Sequence, residues 1–308
     1  MPICQSIIDL IGRTPMLRIP CESGAEIYAK LESFNPGGSV KDRIAWAMIR
    51  RAEERGEILP GATIIEPTSG STGIGLAMIA AARGYRAIIV MPDTMSMERQ
   101  MLLRAYGAQV VLTPGSQGMQ GAVAKAEELA SQTPGSFIPG QFDNPDNPEA
   151  HALTTGPEIW ADMAGRVDVL VACIGTGGTI TGTGRYLKAK NPAVRIIGVE
   201  PSESPLLSQG HAGSHGIQGI GANFVPEALD LSVVDEVITV STEAAMAHGR
   251  DLARCQGVLV GISSGAAMAA ALEVAKRPAY DGKRIAVILP DTGERYLSTA
   301  MFSESPNA

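Results

Sequence analysis

Three stretches of small residues follow apolar runs and precede helical patterns. They are Thr68-Ser69-Gly70-Ser71-Thr72-Gly73 after Ile64-Ile65-Glu66-Pro67, Gly175-Thr176-Gly177-Gly178-Thr179 after Leu170-Val171-Ala172-Cys173-Ile174, and Gly261-Ile262-Ser263-Ser264-Gly265 after Leu259-Val260. Each puts hydroxyls and free backbone N–H groups at a helix N-terminus, where unpaired amides and the helix dipole favour an anion. An ordinary cap needs one hydroxyl. Five or six consecutive small residues suit a ligand that touches the backbone itself. The fourth feature is Asn35-Pro-Gly-Gly-Ser-Val-Lys41-Asp-Arg43. Pro and two Gly end an extended segment, Ser39 caps a helix, and Lys41 stands in its first turn, against the dipole. Such a lysine is either solvated and paired with Asp42 or Glu32, or buried against a ligand. In the second case desolvation and positive potential lower its pKa and make it an amine nucleophile.

Alternating strands and helices position these groups. The apolar spacing predicts strands over 26–31, 63–66, 86–91, 109–112, 168–173, 194–200, 236–240, 258–260 and 284–289. It predicts helices over 39–55, 71–83, 96–106, 118–131, 178–190, 242–255 and 263–276. Apolar, β-branched strands alternating with helices imply parallel sheets covered on both faces, with ligands beyond the carboxyl ends of the strands. Pro, Gly, Asn and Asp cluster over 134–148 and mark a break, and 203–221 is a second loose stretch. The expected shape is two βα layers with a cleft between them.

Composition narrows the partners. The 308 residues carry 25 basic and 32 acidic side chains, a net charge of −7, which argues against nucleic-acid binding. The longest apolar run, near Ile74–Ala82, is far below the ~18 residues of a membrane span. The four cysteines show no paired spacing, and Met1–Pro15 does not read as a signal peptide, so the expected location is the cytoplasm.

Several local patterns point elsewhere. Gly261-Ile-Ser-Ser-Gly265 matches the nucleophile elbow of hydrolases, but all four histidines precede Ser263, the wrong order for that fold. Gly175–Gly178, with Glu200 ending the next strand, suggests a nicotinamide-dependent dehydrogenase. Ile180 breaks its G-x-G-x-x-G pattern, and that reading stays as the alternative from another class. His211 and His215 are spaced as a metal pair yet lie in a Gly/Ser stretch without further ligands, and read as mobile loop histidines.

Taken together, the lysine motif, Glu66-Pro-Thr-Ser-Gly-Ser-Thr-Gly73, Gln141-Phe142, Thr154-Thr-Gly-Pro-Glu-Ile-Trp160, Gly175-Thr-Gly-Gly-Thr179 and Gly261-Ile-Ser-Ser-Gly265 resemble the cysteine synthase (O-acetylserine sulfhydrylase) family of fold type II pyridoxal-phosphate enzymes. The likeness runs from Ile11-Gly-Arg-Thr-Pro15 to Gly293-Glu-Arg-Tyr-Leu-Ser-Thr299. It implies an α/β, tryptophan-synthase-β-like architecture of two three-layer domains with mainly parallel sheets and the cofactor between them. Residues 45–150 would form a smaller, mobile domain carrying the substrate loop. Residues 1–44 with 151–308 would form a larger one carrying the phosphate cradle and Ser263.

The resemblance also implies roles. Lys41 would hold pyridoxal phosphate covalently and act as catalytic base. Gly175, Thr176, Gly177, Gly178 and Thr179 would cradle its phosphate, and Ser263 would meet the pyridine nitrogen. Thr68, Ser69, Gly70, Thr72 and Gln141 would bind the substrate carboxylate, and Gly219–Phe224 would line the pocket. The reaction would be β-replacement of the acetoxy group of O-acetyl-L-serine by sulfide. Cystathionine β-synthase and O-phosphoserine sulfhydrylase activities are alternatives with the same chemistry. The family usually carries Asn in contact with the cofactor's phenolic oxygen where this chain has Ser71. A homodimer is implied, as is a serine acetyltransferase C-terminal tail at the cleft, with no metal and no membrane.

Overall fold

The computed structural model of the chain describes residues 3–303; the outermost residues of the expected terminal stretches, 1–2 and 304–308, lie outside it. The strands are β1 (Met16–Ile19), β2 (Glu26–Leu31), β3 (Thr63–Pro67), β4 (Arg86–Pro92), β5 (Gln109–Thr113), β6 (Val169–Cys173), β7 (Arg195–Pro201), β8 (Glu236–Val240) and β9 (Arg284–Leu289). The helices are α1 (Lys41–Arg55), α2 (Ser71–Arg83), α3 (Met97–Ala105), α4 (Gly118–Ser131), α5 (Asp146–Leu153), α6 (Thr155–Asp162), α7 (Gly178–Lys190), α8 (Leu206–Gln209), α9 (Thr242–Gln256) and α10 (Ile262–Ala275).

Two sheets result, one ordered β1-β2-β9-β6-β7-β8 and the other β3-β4-β5. Every pairing is parallel except that of β1 with β2. Parallel neighbours need crossover connections, and the helices supply them. Both faces of each sheet are covered, following the two-residue period of a strand. In the smaller sheet Ile64 and Ile89 pack towards α1 and α2. Ile65 and Val90 pack towards Ala122 and Ala126 of α4. In the larger sheet Val169 and Val171 meet the alanines of α10. Leu170 and Ala172 meet Ile180 and Leu187 of α7. The chain is thus an α/β protein of two three-layer units with mainly parallel sheets, as expected.

Several elements differ from the expected set, α8 among the additions. The strand expected at 258–260 is a single bridge, Val260 to Thr292. α9 and α10 pack on each other and leave only a short connection there. The antiparallel edge strand β1 is additional. So are α5 and α6, which begin inside and just after the proline-rich break. Pro148 sits in the first turn of α5, where its missing N–H has no intrahelical partner to lose.

Candidate functional site

A cavity of about 600 Å³ lies where the N-termini of α1, α2, α7 and α10 converge beyond the ends of the strands. It brings together Lys41, Ser69, Ser71, Thr72, Gln141, Gly175, Thr176, Thr179 and Ser263. Thr68, Gly70, Gly177 and Gly178 do not line it and instead shape the loops behind. Thr68 Oγ1 accepts from Gly70 N at 3.0 Å. Gly70 has φ +131, and a Cβ there would stand 2.3 Å from Arg99 Cδ. Gly177 has φ +83, and a Cβ there would stand 2.4 Å from Leu229 Cβ. Only glycine fits both turns.

None of the three loop helices carries a side-chain cap, although serines and threonines surround each start. By contrast α9 is capped in the ordinary way by Ser241, which accepts from Ala244 N. The first-turn N–H groups of α2, α7 and α10 therefore lack the partner that the hydroxyls could have supplied. This is the arrangement of an anion site rather than of routine capping.

The loop at α7 is braced from α5. Asn147 Nδ2 donates to Thr176 Oγ1 at 3.0 Å and to Gln141 O at 2.7 Å. His151, fully buried, bridges Thr179 Oγ1 at 3.2 Å and Thr155 Oγ1 at 2.8 Å. Burial, and then the nearby cations Arg43 and Lys41, push its pKa well below the usual imidazole value, so it bridges as a neutral ring. The loop at α2 is held differently. Thr72 Oγ1 donates to Gln141 Oε1 at 2.6 Å. Gln141 is fixed in turn by Glu66, a buried carboxylate that accepts from Gly140 N and Gln141 N. Burial pushes the Glu66 carboxyl up to about 8 against those two hydrogen bonds.

Lys41 is unpaired. Asp42 accepts from Gly37 N at 2.6 Å, and Glu32 is taken by Arg43 at 2.8 Å, so neither holds it. Ser39 Oγ accepts from Lys41 N at 3.3 Å, but the N-cap of α1 is Val40, without a side-chain cap, and not Ser39 as expected. Burial lowers the ammonium to about 8 while the charge of Asp291 opposes that fall. The group facing it is a carboxyl whose own pKa burial raises, not the positive potential that the sequence suggested. Asp291 is itself buried and lines the cavity. Its Oδ2 accepts from Tyr296 OH at 2.7 Å, and its Oδ1 has no partner. Asp291, Arg295, Tyr296 and His151 were not legible as site residues. Asp291 comes to Lys41 through pairing with Ser39, across some 250 residues of sequence, and only the Gly-Glu-Arg-Tyr run hinted at it.

Two further expectations change. His215 is not a free loop histidine: it lines the cavity and bonds Gly221 O through Nε2 at 2.9 Å. Among the described residues no group of three or more potential ligands gathers as a metal site. Glu200, the acid of the dehydrogenase alternative, accepts from Leu207 N at 2.8 Å and Ser208 N at 2.9 Å. It serves the turn into α8 and is not free for a ribose. No helix among the described residues is long and apolar enough to cross a membrane.

Among the described residues, a half-buried amine without a partner, uncapped helix ends and a Ser263 hydroxyl without a partner suit an aromatic aldehyde that carries a phosphate. The donor set thus fits the cofactor of a fold type II pyridoxal-phosphate enzyme. Comparison with known proteins agrees: the family profile described as "Pyridoxal-phosphate dependent enzyme" matches residues 7–291, and the chain belongs to that family. It is 51% identical over 303 residues to cysteine synthase from Staphylococcus aureus (strain Mu50 / ATCC 700699), covering 97% of each chain. Among solved structures it is similar to O-ureido-L-serine synthase, with TM-score 0.95 and 48% identity over 100% of this chain and 98% of that one. It is also similar to cysteine synthase from Entamoeba histolytica, with TM-score 0.94 and 42% identity over 100% of this chain and 93% of that one.

Proposed function

We propose that the chain is a cysteine synthase, replacing the acetoxy group of O-acetyl-L-serine by sulfide to give L-cysteine and acetate. The observation that carries this reading is the unpaired amine of Lys41 in one cavity with the uncapped starts of α2 and α7. The near-full-length likeness to cysteine synthases supports the substrate assignment.

Pyridoxal phosphate, when bound, supplies an electron sink for negative charge at the substrate's α-carbon. Gly175–Thr179 would hold its phosphate through α7's free N–H groups, and Lys41 Nζ would hold its aldehyde carbon. The neutral Ser263 hydroxyl would serve the ring nitrogen without protonating it, which would weaken the sink and favour β-elimination over transamination. Ser69, Thr72 and Gln141 bind the substrate carboxylate, with Thr68 and Gly70 shaping their loop, and Ser71 stands where the family's Asn meets the cofactor. As a free amine, Lys41 would take the substrate's α-proton and later return it. With its pKa lowered to about 8, roughly a tenth of the amine is unprotonated at pH 7, far more than for an ordinary lysine. Loss of acetate and addition of sulfide both occur at the β-carbon, in a cleft that closure of the substrate loop shields from water.

Residues 45–150 form the smaller, mobile unit in this reading, and 1–44 with 151–308 the larger. The protein works in the cytoplasm as a homodimer, and the C-terminal tail of a serine acetyltransferase fits the same cleft. One experiment tests the core of the proposal. The purified protein is expected to be yellow, to be tagged at Lys41 after borohydride reduction, and to form cysteine from O-acetylserine and sulfide. A yellow, tagged protein that makes no cysteine overturns the substrate assignment alone.

A further inference from the structure

Ser71 has a partner that its place in the sequence does not announce. Arg295 lies in the turn Gly293–Tyr296, which follows β9, and is 2% exposed. Its Nη1 donates to Ser71 Oγ at 3.0 Å. Its Nη2 donates to the carbonyl of Gly37, in the turn that leads to Lys41. The turn carrying Arg295 is itself fixed: Ser96 Oγ donates to Arg295 O at 2.9 Å, and Arg99 Nη2 donates to Tyr296 OH at 2.8 Å. The guanidinium is thus held between the substrate loop and the lysine's approach.

A guanidinium donates hydrogen bonds and never accepts them. Ser71 Oγ is therefore the acceptor in this pair, and its own proton points elsewhere. Ser71 lines the cavity, and among the described residues its Oγ has no other partner. Accepting from a cation also makes the hydroxyl a better donor, because hydrogen bonds in a chain polarise one another. We infer that Arg295 is a positioning residue: it turns the Ser71 hydroxyl so that its proton is offered into the cavity, to an anionic oxygen of the bound ligand. A ring oxygen of the cofactor and the carboxylate of the amino-acid substrate share that chemistry. The inference rests on the function proposed above.

The test compares wild type, Ser71→Ala, Arg295→Lys and the double variant, each loaded with pyridoxal phosphate. The readouts are the cofactor's absorption, its dissociation constant, and KM and kcat for O-acetylserine. Lysine keeps the charge but cannot fork to both Ser71 and Gly37. Each single change is expected to weaken the affected readout about 10-fold or more, the loss of one hydrogen bond to a charged group. In the Ser71→Ala background Arg295→Lys is expected to add nothing. Matching absorption shifts in both single variants assign the acceptor to the cofactor; raised KM with unchanged absorption assigns it to the carboxylate. Additive losses, or an Arg295→Lys protein equal to wild type, overturn the inference.

Should Arg295→Lys fail to fold, Ser71→Asn and Ser71→Asp carry the test. Both side chains can accept from Arg295, but only Asn has a proton to offer. Asn is expected to keep substrate and cofactor affinity and Asp to lose them, and an Asp variant as good as Asn overturns the inference. Absorption needs no turnover, so a protein inert towards O-acetylserine breaks the proposed substrate and still reports on Arg295.

Discussion

The two glycine-rich loops that face each other across the cavity are built from similar residues and held in opposite ways. At α7, Asn147 and His151 reach the hydroxyls of Thr176 and Thr179 from α5, a helix packed directly on α7. At α2, the supports come from outside the loop's own layers: Arg295 from the turn beyond β9, and Gln141 from the segment leading to α5. In the proposed reading the first arrangement fixes the phosphate end against a neighbouring helix. The second would fasten the substrate end through single hydrogen bonds, each worth about 0.5–1.5 kcal/mol net, that can be exchanged for bonds to a ligand. Similar sequences thus give a fixed anchor and a releasable clasp, and the supporting residues decide which.

The largest effect belongs to the residue that both loops serve. Lys41→Ala is expected to cut cysteine formation by about 10²–10⁴-fold or more, the range of a lost general base. The phosphate cradle should still retain cofactor, measured by absorbance after gel filtration, but borohydride should fix none of it. Loss of all cofactor would mean that the cradle is no independent anchor.

Asn147→Ala strikes the anchor next. It leaves Gln141 O and Thr176 Oγ1 without their shared donor, at about 1–3 kcal/mol. Cofactor affinity is expected to fall about 5- to 150-fold, at ~1.4 kcal/mol per decade. KM for O-acetylserine should change much less. A variant with raised KM and unchanged cofactor affinity would reverse the roles assigned to the two loops.

A smaller effect tests the charge between them. Burial sets the Lys41 amine near 8, and Asp291 holds it above where burial alone would put it. Asp291→Asn removes that attraction, so the amine should lose its proton at lower pH. Reconstitution of the cofactor-free protein then speeds up below pH 8, by at most about tenfold, since one pH unit is a factor of ten in free amine. At high pH, where the amine is neutral in both proteins, their rates should converge. A profile that moves to higher pH would show that Asp291 does not act on Lys41.

Much of this was legible before any coordinates. The β/α alternation follows from apolar runs buried on both faces, and α2, α4 and α7 begin and end at the expected residues. That Lys41 and the three loops gather at one cavity was legible, because small residues in sequence mark strand-to-helix turns that a ligand can approach. The supports were not. Asn147 and His151 lie on a helix hidden in a proline-rich stretch, and Arg295 and Asp291 reach the site from the far end of the chain. Such contacts have no local signature: they exist only once the sheet has closed. The strand signal at Val258–Val260 misled for the converse reason, since β-branched residues occur there without a neighbouring strand to pair along their length.

A comparably small effect is expected at Ser71, where the chain departs from the usual Asn. With Asn in place, the amide oxygen can still accept from Arg295 Nη1 and the amide N–H₂ can still donate into the cavity. The clasp survives, and only the reach of its donor changes. A longer donor that meets its acceptor directly should stabilise the bound state by the net worth of one hydrogen bond, about 0.5–1.5 kcal/mol. Ser71→Asn should therefore shift the cofactor's absorption and speed the first half-reaction with O-acetylserine about 2- to 12-fold. Cofactor affinity, set by the opposite loop, should stay the same. Rapid-scan spectra with O-acetylserine and O-phosphoserine separate the outcomes. If Ser71→Asn is slower with O-acetylserine while wild type reacts well with O-phosphoserine, Ser71 belongs to a clasp shaped for another donor. The anchor loop and Lys41 would keep their roles, and the difference between the two loops would then extend from mechanics to specificity.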